Sequence, residues 1–189
     1  MRTTLNLFAA LMMIANLAVT TAWAQNTPDD WKWVVDHFKT FGIWEVACDH
    51  RELDKSRGEE KRCYLRVVDV YAPRPDFGAA FLFVTRTSGE GLRFDFSFEK
   101  GTEFEAGGFA VIQDNTNTFG FEPARCEAGA RCLIQGNEAE RFAVSLSDDA
   151  HLRLAFLDRL GRDWERTWTG QGFAEALADL TRESEKRGL

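Results

Sequence analysis

The sequence predicts a mainly β protein, an antiparallel β-sandwich or barrel of about eight or nine short strands, with a short N-terminal helix and a C-terminal amphipathic helix. Three observations predict this fold. Residues 92–99 alternate between apolar and polar side chains, as a half-buried antiparallel strand does. Short apolar segments recur along the middle of the chain, with turn-forming residues between them. The last segment has helical spacing instead, because Phe173, Ala176 and Leu180 fall on one stripe.

Residues 1–24 are predicted to be a secretory signal peptide. Arg2 supplies a charged start, residues 5–19 are mostly apolar, and Ala22-Trp23-Ala24 is an A-x-A cleavage signal that leaves Gln25 as the mature N-terminus. The apolar run is shorter than the span of about 20 residues that a transmembrane helix needs. We therefore expect an exported protein that is periplasmic, associated with the outer membrane, or secreted.

The remaining 165 residues, 25–189, suit one domain, and no repeat or linker divides them. Loss of Arg2 leaves 22 Lys+Arg against 30 Asp+Glu, a net charge of −8. An acidic surface repels phosphate backbones, so we expect no nucleic-acid partner, and we expect no membrane span. An envelope or host protein is the expected kind of partner.

The predicted N-terminal helix begins at Thr27, which suits an N-cap, with Pro28 at the first helical position. Trp31, Val34, Val35 and Phe38 then recur at helical spacing. Gly42 is expected to end this helix. Alternation and turn signals predict strands at residues 43–48, 63–68, 80–87, 92–99, 108–113, 118–121, 142–146 and 151–157.

The four cysteines of an exported protein are expected to form disulfides, since thiols oxidise outside the cytosol. Three pairings are formally possible. The sequence favours Cys48 with Cys63 and Cys126 with Cys132, because each pair brackets a polar loop between strand-like segments. Their spacings, C-x14-C and C-x5-C, match no common zinc pattern.

No motif for catalysis stands out. His37, His50 and His151 lie in no recognisable motif, and no serine occupies a G-x-S-x-G turn. A metal site could combine Asp148, Asp149 and His151, but two acidic residues before a strand are typical of a turn. We therefore expect no cofactor, no metal and no enzymatic activity.

Residues 164–168 alternate, which puts Trp164, Arg166 and Trp168 on one face. This face is a candidate interaction surface. It could equally be covered by the C-terminal helix, which follows directly.

Four features in order resemble the invasion-associated locus B family. They are the segment F-G-I-W-E-V-A-C at residues 41–48, a second cysteine after a charged loop, a close cysteine pair, and G-Q-G-F-A-E-A-L at residues 170–177. The resemblance implies a small, β-rich periplasmic or outer-membrane-associated bacterial protein. Some relatives are linked to host-cell invasion, and others occur in bacteria that invade nothing. The resemblance transfers the four cysteines as disulfide partners and transfers no catalytic residue.

These observations predict a non-enzymatic interaction or accessory module of the bacterial envelope. The alternative is a periplasmic small-ligand carrier, or a hydrolase whose site assembles only in space. A preformed cavity would favour the carrier, and a filled core would favour the interaction module.

The even number of cysteines and the predicted export lead to one testable expectation. Mature protein that is denatured without reduction and then treated with a thiol alkylating reagent should take up no label, because all four cysteines are oxidised. Mass spectrometry measures the mass gain. Prior reduction is the control and should add four labels; any label on the unreduced protein would show a free thiol.

Overall fold

Two antiparallel sheets pack against each other in the computed structural model, which describes residues 32–53, 58–87, 89, 91–122, 126–127 and 130–189. The strands within these residues are β1 Val34–Phe41, β2 Trp44–Glu52, β3 Glu59–Ala72, β4 Gly78–Thr87, β5 Gly91–Ser97, β6 Glu103–Gln113, β7 Thr116–Gly120, β8 Arg131–Gln135, β9 His151–Leu157 and β10 Asp163–Thr169. The helices are α1 Asn137–Ser145 and α2 Phe173–Lys186. The sequence prediction of a mainly β, antiparallel sandwich is confirmed.

The larger sheet has the strand order β1-β2-β3-β4-β5-β8, and the smaller has the order β10-β9-β6-β7. Every neighbouring pair is antiparallel. The smaller sheet lies over part of the larger one. Helix α2 packs on β2 and β3 and more lightly on β1 and β4, while α1 packs on β5, β8 and β7. The two helices therefore complete the cover over the larger sheet.

Interlocking aromatic rings fill the space between the sheets. Phe96 of β5 meets Phe109 of β6 edge to face, with ring centroids 4.7 Å apart. Phe96 also lies parallel to Trp168 of β10 at 6.3 Å. Phe94, its neighbour on the same face, meets Phe142 of α1 at 4.8 Å. Edge-to-face pairs of this kind add to the stabilisation that burial alone provides.

The strict alternation that predicts a strand at residues 92–99 is observed in β5. Leu92, Phe94 and Phe96 are buried, and the intervening residues are only partly buried. The predicted strand at residues 151–157 is β9 itself. The predicted C-terminal helix is α2, whose residues Phe173, Ala176 and Leu180 are buried.

The predicted N-terminal helix is wrong where the structure describes it. Residues 34–41 form β1, which pairs with β2, and Val34, Val35 and Phe38 are exposed. Two adjacent β-branched residues favour an extended backbone, and pairing with β2 provides its hydrogen bonds. Gly42 (φ +64°) does not end a helix; it begins the two-residue turn between β1 and β2, as glycine does in type II′ hairpins. Thr27, Pro28 and the predicted signal peptide lie outside the described residues.

The predicted strand at residues 142–146 is also wrong, since Phe142 lies in helix α1. A short apolar run suits a buried helix as well as a strand, so periodicity alone does not separate them. Ala139 and Phe142, one helical turn apart, both face the core and are buried. Strand β8 lies between the strands predicted at residues 118–121 and 142–146, where the sequence predicted none.

The disulfides join the pairs that the sequence favours. Cys48 and Cys63 stand directly opposite each other on β2 and β3, with Cα atoms 4.1 Å apart. Cys126 bonds to Cys132 of β8, with Cα atoms 4.2 Å apart. No cysteine is free.

Among the described residues, no helix is both long enough and apolar enough to cross a bilayer.

Replacement of Phe96 by aspartate should destabilise the fold by roughly 4 kcal/mol or more, because it places an unpaired charge among aromatic rings. Chemical denaturation of both proteins measures the free energy of unfolding. Val70→Asp is the matched control, since Val70 is half exposed and should tolerate the same change within about 1 kcal/mol. Equal stability of Phe96→Asp and the parent protein would contradict the buried position of β5.

Candidate functional site

Trp164, Arg166 and Trp168, the predicted candidate surface, lie along β10 and make contacts inside the protein. Arg166 donates two hydrogen bonds to Asp69 of β3, at 2.8 Å from Nε to Oδ2 and 2.7 Å from Nη2 to Oδ1. The Trp168 indole nitrogen donates to the same carboxylate at 2.8 Å, and Trp168 is 3% exposed. The Trp164 nitrogen donates to Asp158 at 3.0 Å. Contact of this face with a partner stays a prediction.

Asp69 is thus a polar tie between the two sheets. Burial raises the pKa of its carboxyl, but the hydrogen bonds from Arg166 and Trp168 outweigh this effect, so the pKa lies below its ordinary value. The same contact raises the pKa of Arg166. Asp69 therefore stays ionised, with both oxygens occupied.

A cavity of about 600 Å³ lies beside this tie and is lined in part by Glu45, Asp69, His151 and Arg166. Glu45 accepts a hydrogen bond from Arg66 at 2.7 Å, so both carboxylates are bound by arginines. His151 begins β9 and is exposed. The arrangement brings a histidine near two carboxylates, but both carboxylates serve structural ion pairs.

His37 of β1 and two carboxylates of α2 form a cluster with the residue types and spacing of a metal site. Its Nε2 lies 2.7 Å from Oδ2 of Asp179, its Nδ1 lies 3.9 Å from Oε2 of Glu183, and the three candidate ligand atoms lie within 4.8 Å of one another. However, Lys186 and Arg187 donate to Glu183 at 2.6 and 2.7 Å.

These cations occupy the carboxylates that a metal would need. Hydrogen bonds from Lys186 and Arg187 lower the pKa of Glu183 to about 2, and Arg182 contacts Asp179. A divalent cation would have to displace these groups against their repulsion. The donor set therefore fits a charged clasp between α2 and β1, not a metal centre. Asp148 of the sequence-predicted metal triad accepts a hydrogen bond from the Gly172 amide at 3.3 Å, close to the start of α2.

A groove between α1 and α2 is lined by two of the four described residues that have a buried side-chain atom without a hydrogen-bond partner. Its cavity measures about 680 Å³. The lining residues are Arg86, Glu140, Ala143, Val144, Leu146, Ser147, Phe173, Ala174, Leu177, Ala178, Thr181, Arg182 and Glu185. We call it the helix groove. Seven of these thirteen lining residues are apolar, and the other six are polar or charged.

Arg86 brings a cation to the helix groove from the sheet beneath it. In β4, Leu82 and Val84 face the core and are buried, and Arg86 continues this inward alternation. Its Nε is buried and has no hydrogen-bond partner, and no described carboxylate lies within ion-pair distance of the guanidinium. The Oγ of Ser147, which lines the same cavity, is also buried and unpartnered. Buried polar groups are ordinarily paired, so both atoms leave a hydrogen-bond demand open.

The walls of the helix groove are the facing sides of two helices. Val144 of α1 is 83% exposed, although it is a large apolar residue. Leu177 and Ala178 of α2 line the opposite side, and buried Phe173 lies below them. The groove therefore combines exposed apolar walls with a partly buried arginine whose Nε has no partner among the described residues. The sequence contained one signal of it: an arginine at an inward position of an apolar strand.

Asp69→Asn should lower the free energy of unfolding at pH 7 by about 2–3 kcal/mol, because it removes the charge that Arg166 and Trp168 bind. The pKa of Asp69 is lower in the folded state, so its contribution is present above its unfolded pKa and is lost as the pH falls through the folded value. The gap between parent and variant should therefore narrow as the pH drops below about 4. Urea unfolding between pH 7 and pH 3 measures it. Asp163→Asn is the control, because Asp163 is an exposed aspartate of β10, the strand that carries Arg166, and its replacement should change the free energy of unfolding little. A difference in stability between the parent and Asp69→Asn that does not depend on pH would contradict an ionised Asp69.

Comparison with solved structures finds a structural similarity. The fold is similar to the crystal structure of invasion associated protein B from Bartonella henselae, with a TM-score of 0.46 and 17% sequence identity, over 79% of this chain and 99% of that chain. No family model and no curated protein matches the chain. Membership of the family that the sequence motifs resemble stays a prediction.

Proposed function

We propose that this chain is an exported protein of the bacterial envelope that acts by binding, as an interaction or accessory module rather than as an enzyme. The helix groove is its binding site. The single observation that carries the proposal is Arg86, whose unpaired, inward-facing guanidinium lines a cavity with exposed apolar walls.

Arg86 supports binding because an uncompensated buried donor is costly in the free protein. An unsatisfied buried polar group costs roughly 1–3 kcal/mol, and more when it is charged. A bound partner that supplies an acceptor would remove this cost at the moment of association. The neighbouring exposed Val144 adds apolar area for the same partner to cover.

The rest of the fold is suited to a rigid support for this site. The aromatic rings between the sheets hold β5, the neighbour of β4, in place, one disulfide joins β2 to β3, and the other joins Cys126 to β8. Disulfides persist in oxidising compartments, which is consistent with the predicted export. The predicted signal peptide is the second support for an envelope location.

Photo-crosslinking in living cells tests this proposal. A benzophenone amino acid at position 144 should give a discrete adduct on mature protein recovered from the periplasmic fraction, because Val144 lines the helix groove. The matched control is position 160, since Leu160 is 51% exposed and is not among the groove's lining residues. Adding Arg86→Met to the position-144 protein should reduce the adduct about tenfold if the cation holds the partner.

Three outcomes would contradict the proposal. Equal adduct yields at positions 144 and 160 would show nonspecific crosslinking and no binding site at the groove. The absence of an adduct at position 144 would remove the groove as the binding site. Mature protein missing from the periplasmic fraction would contradict export.

A further inference from the structure

We propose that the helix groove binds an amphipathic monoanion: one carboxylate at the end of an unbranched alkyl chain. Arg86 and Ser147 hold the carboxylate, and the facing sides of α1 and α2 hold the chain. This inference rests on the proposed function, since it names the ligand class of the same groove. A small ligand there corresponds to the carrier that the sequence analysis gives as the alternative to a protein-binding module.

The carboxylate follows from the two unpartnered donors. The Nε of Arg86 and the Oγ of Ser147 are both buried, and both residues line the one cavity. A guanidinium presents its donors in a planar fork that matches two carboxylate oxygens, and a serine hydroxyl adds a third donor. An anion with this geometry satisfies the cation, whereas a neutral or cationic group leaves its charge unbalanced.

The single charge follows from the other ionisable groups of the groove. Glu140 and Glu185 also line the cavity and would repel a second anionic group. Arg182, the other cation of the lining, already contacts Asp179 and lies 3.6 Å from Glu183. Arg86 is therefore the lining cation without a described partner, and direct contact with one carboxylate satisfies it against the repulsion of Glu140 and Glu185.

The alkyl chain follows from the walls. The facing sides of the helices carry the small side chains of Ala143, Ala174 and Ala178, which leave space between them. Val144 and Leu177 supply larger apolar surface. These side chains offer no hydrogen-bond partner, so a peptide laid on them would leave its own amide and carbonyl groups unpaired. A hydrocarbon has no such groups. The volume, about 680 Å³, lies within the range of about 300–1,000 Å³ that is usual for small-ligand pockets.

Calorimetric titration with sodium dodecanoate, below its micellar concentration, tests the proposal on the mature protein. We expect saturable binding at one site. 1-Dodecanol has the same chain without the charge, and dodecyltrimethylammonium has the opposite charge; both should bind at least about tenfold more weakly, because neither satisfies Arg86. Dodecanol binding as tight as that of dodecanoate would overturn the role of the carboxylate.

Variants locate the site and control for folding. Arg86→Met keeps an apolar stem and removes the guanidinium, and it should weaken dodecanoate binding about tenfold or more. Arg86→Lys restores a positive charge and should recover part of the affinity. Val144→Asp places a negative charge, the same sign as that of dodecanoate, at an exposed position of the groove and should also weaken binding. Leu160→Asp places the same charge outside the groove and should not weaken binding. Unchanged affinity in both Arg86→Met and Val144→Asp would overturn the proposal.

The result also separates this inference from the proposed function. If dodecanoate fails to bind at millimolar concentration but position 144 still gives a specific adduct, the ligand class is wrong and the groove remains a binding site. A protein captured there, in place of an alkyl carboxylate, would overturn the inference in the same way. If both experiments fail, the groove itself is not a binding site.

Discussion

The two sheets differ in width, and much of the structure follows from covering the wider one. The larger sheet has six strands and the smaller has four, so the apolar inner face of the larger sheet extends beyond the smaller sheet. Exposed apolar area of that extent would be unfavourable in water. Helix α2 covers the side of β1 to β4, and α1 covers the side of β5 and β8. Because two separate helices provide this cover, a groove opens between them, above the inner face of β4.

Charged ties fasten the pieces of this cover at places where apolar packing ends. Asp69 of β3 binds Arg166 and Trp168 of β10, and so links the larger sheet to the edge strand of the smaller sheet. His37 and Glu183 take part in the corresponding contact between β1 and α2. In both places the carboxylates are bound by several donors, so their charge is compensated and their pKa values are low. Against these examples of compensation, Arg86 is the exception, because its inward charge has no described partner.

Much of the fold could be predicted from the sequence, because alternation reports directly which side of a strand is buried. Residues 92–99 and 151–157 were predicted as strands for this reason, and α2 was predicted from its apolar stripe. Residues 34–41 and 142–146 were predicted wrongly, because each segment is short and the spacing of its apolar residues suits both a helix and a strand. Pairing with β2 decides the first, and packing of Phe142 against Phe94 decides the second. Both are contacts between distant parts of the chain, which local pattern does not contain.

The helix groove could not be predicted for the same reason, since its walls come from α1 and α2 and its cation comes from β4. Arg86 occupies a position where the alternation of β4 calls for an apolar residue. An arginine there gains nothing from burial and leaves a donor unsatisfied, so packing alone would favour a residue such as methionine. Departures from local rules that lack a compensating contact are expected where a protein binds or reacts. The location of this departure, at a cavity with exposed apolar walls, makes Arg86 better explained by a ligand than by the stability of the fold.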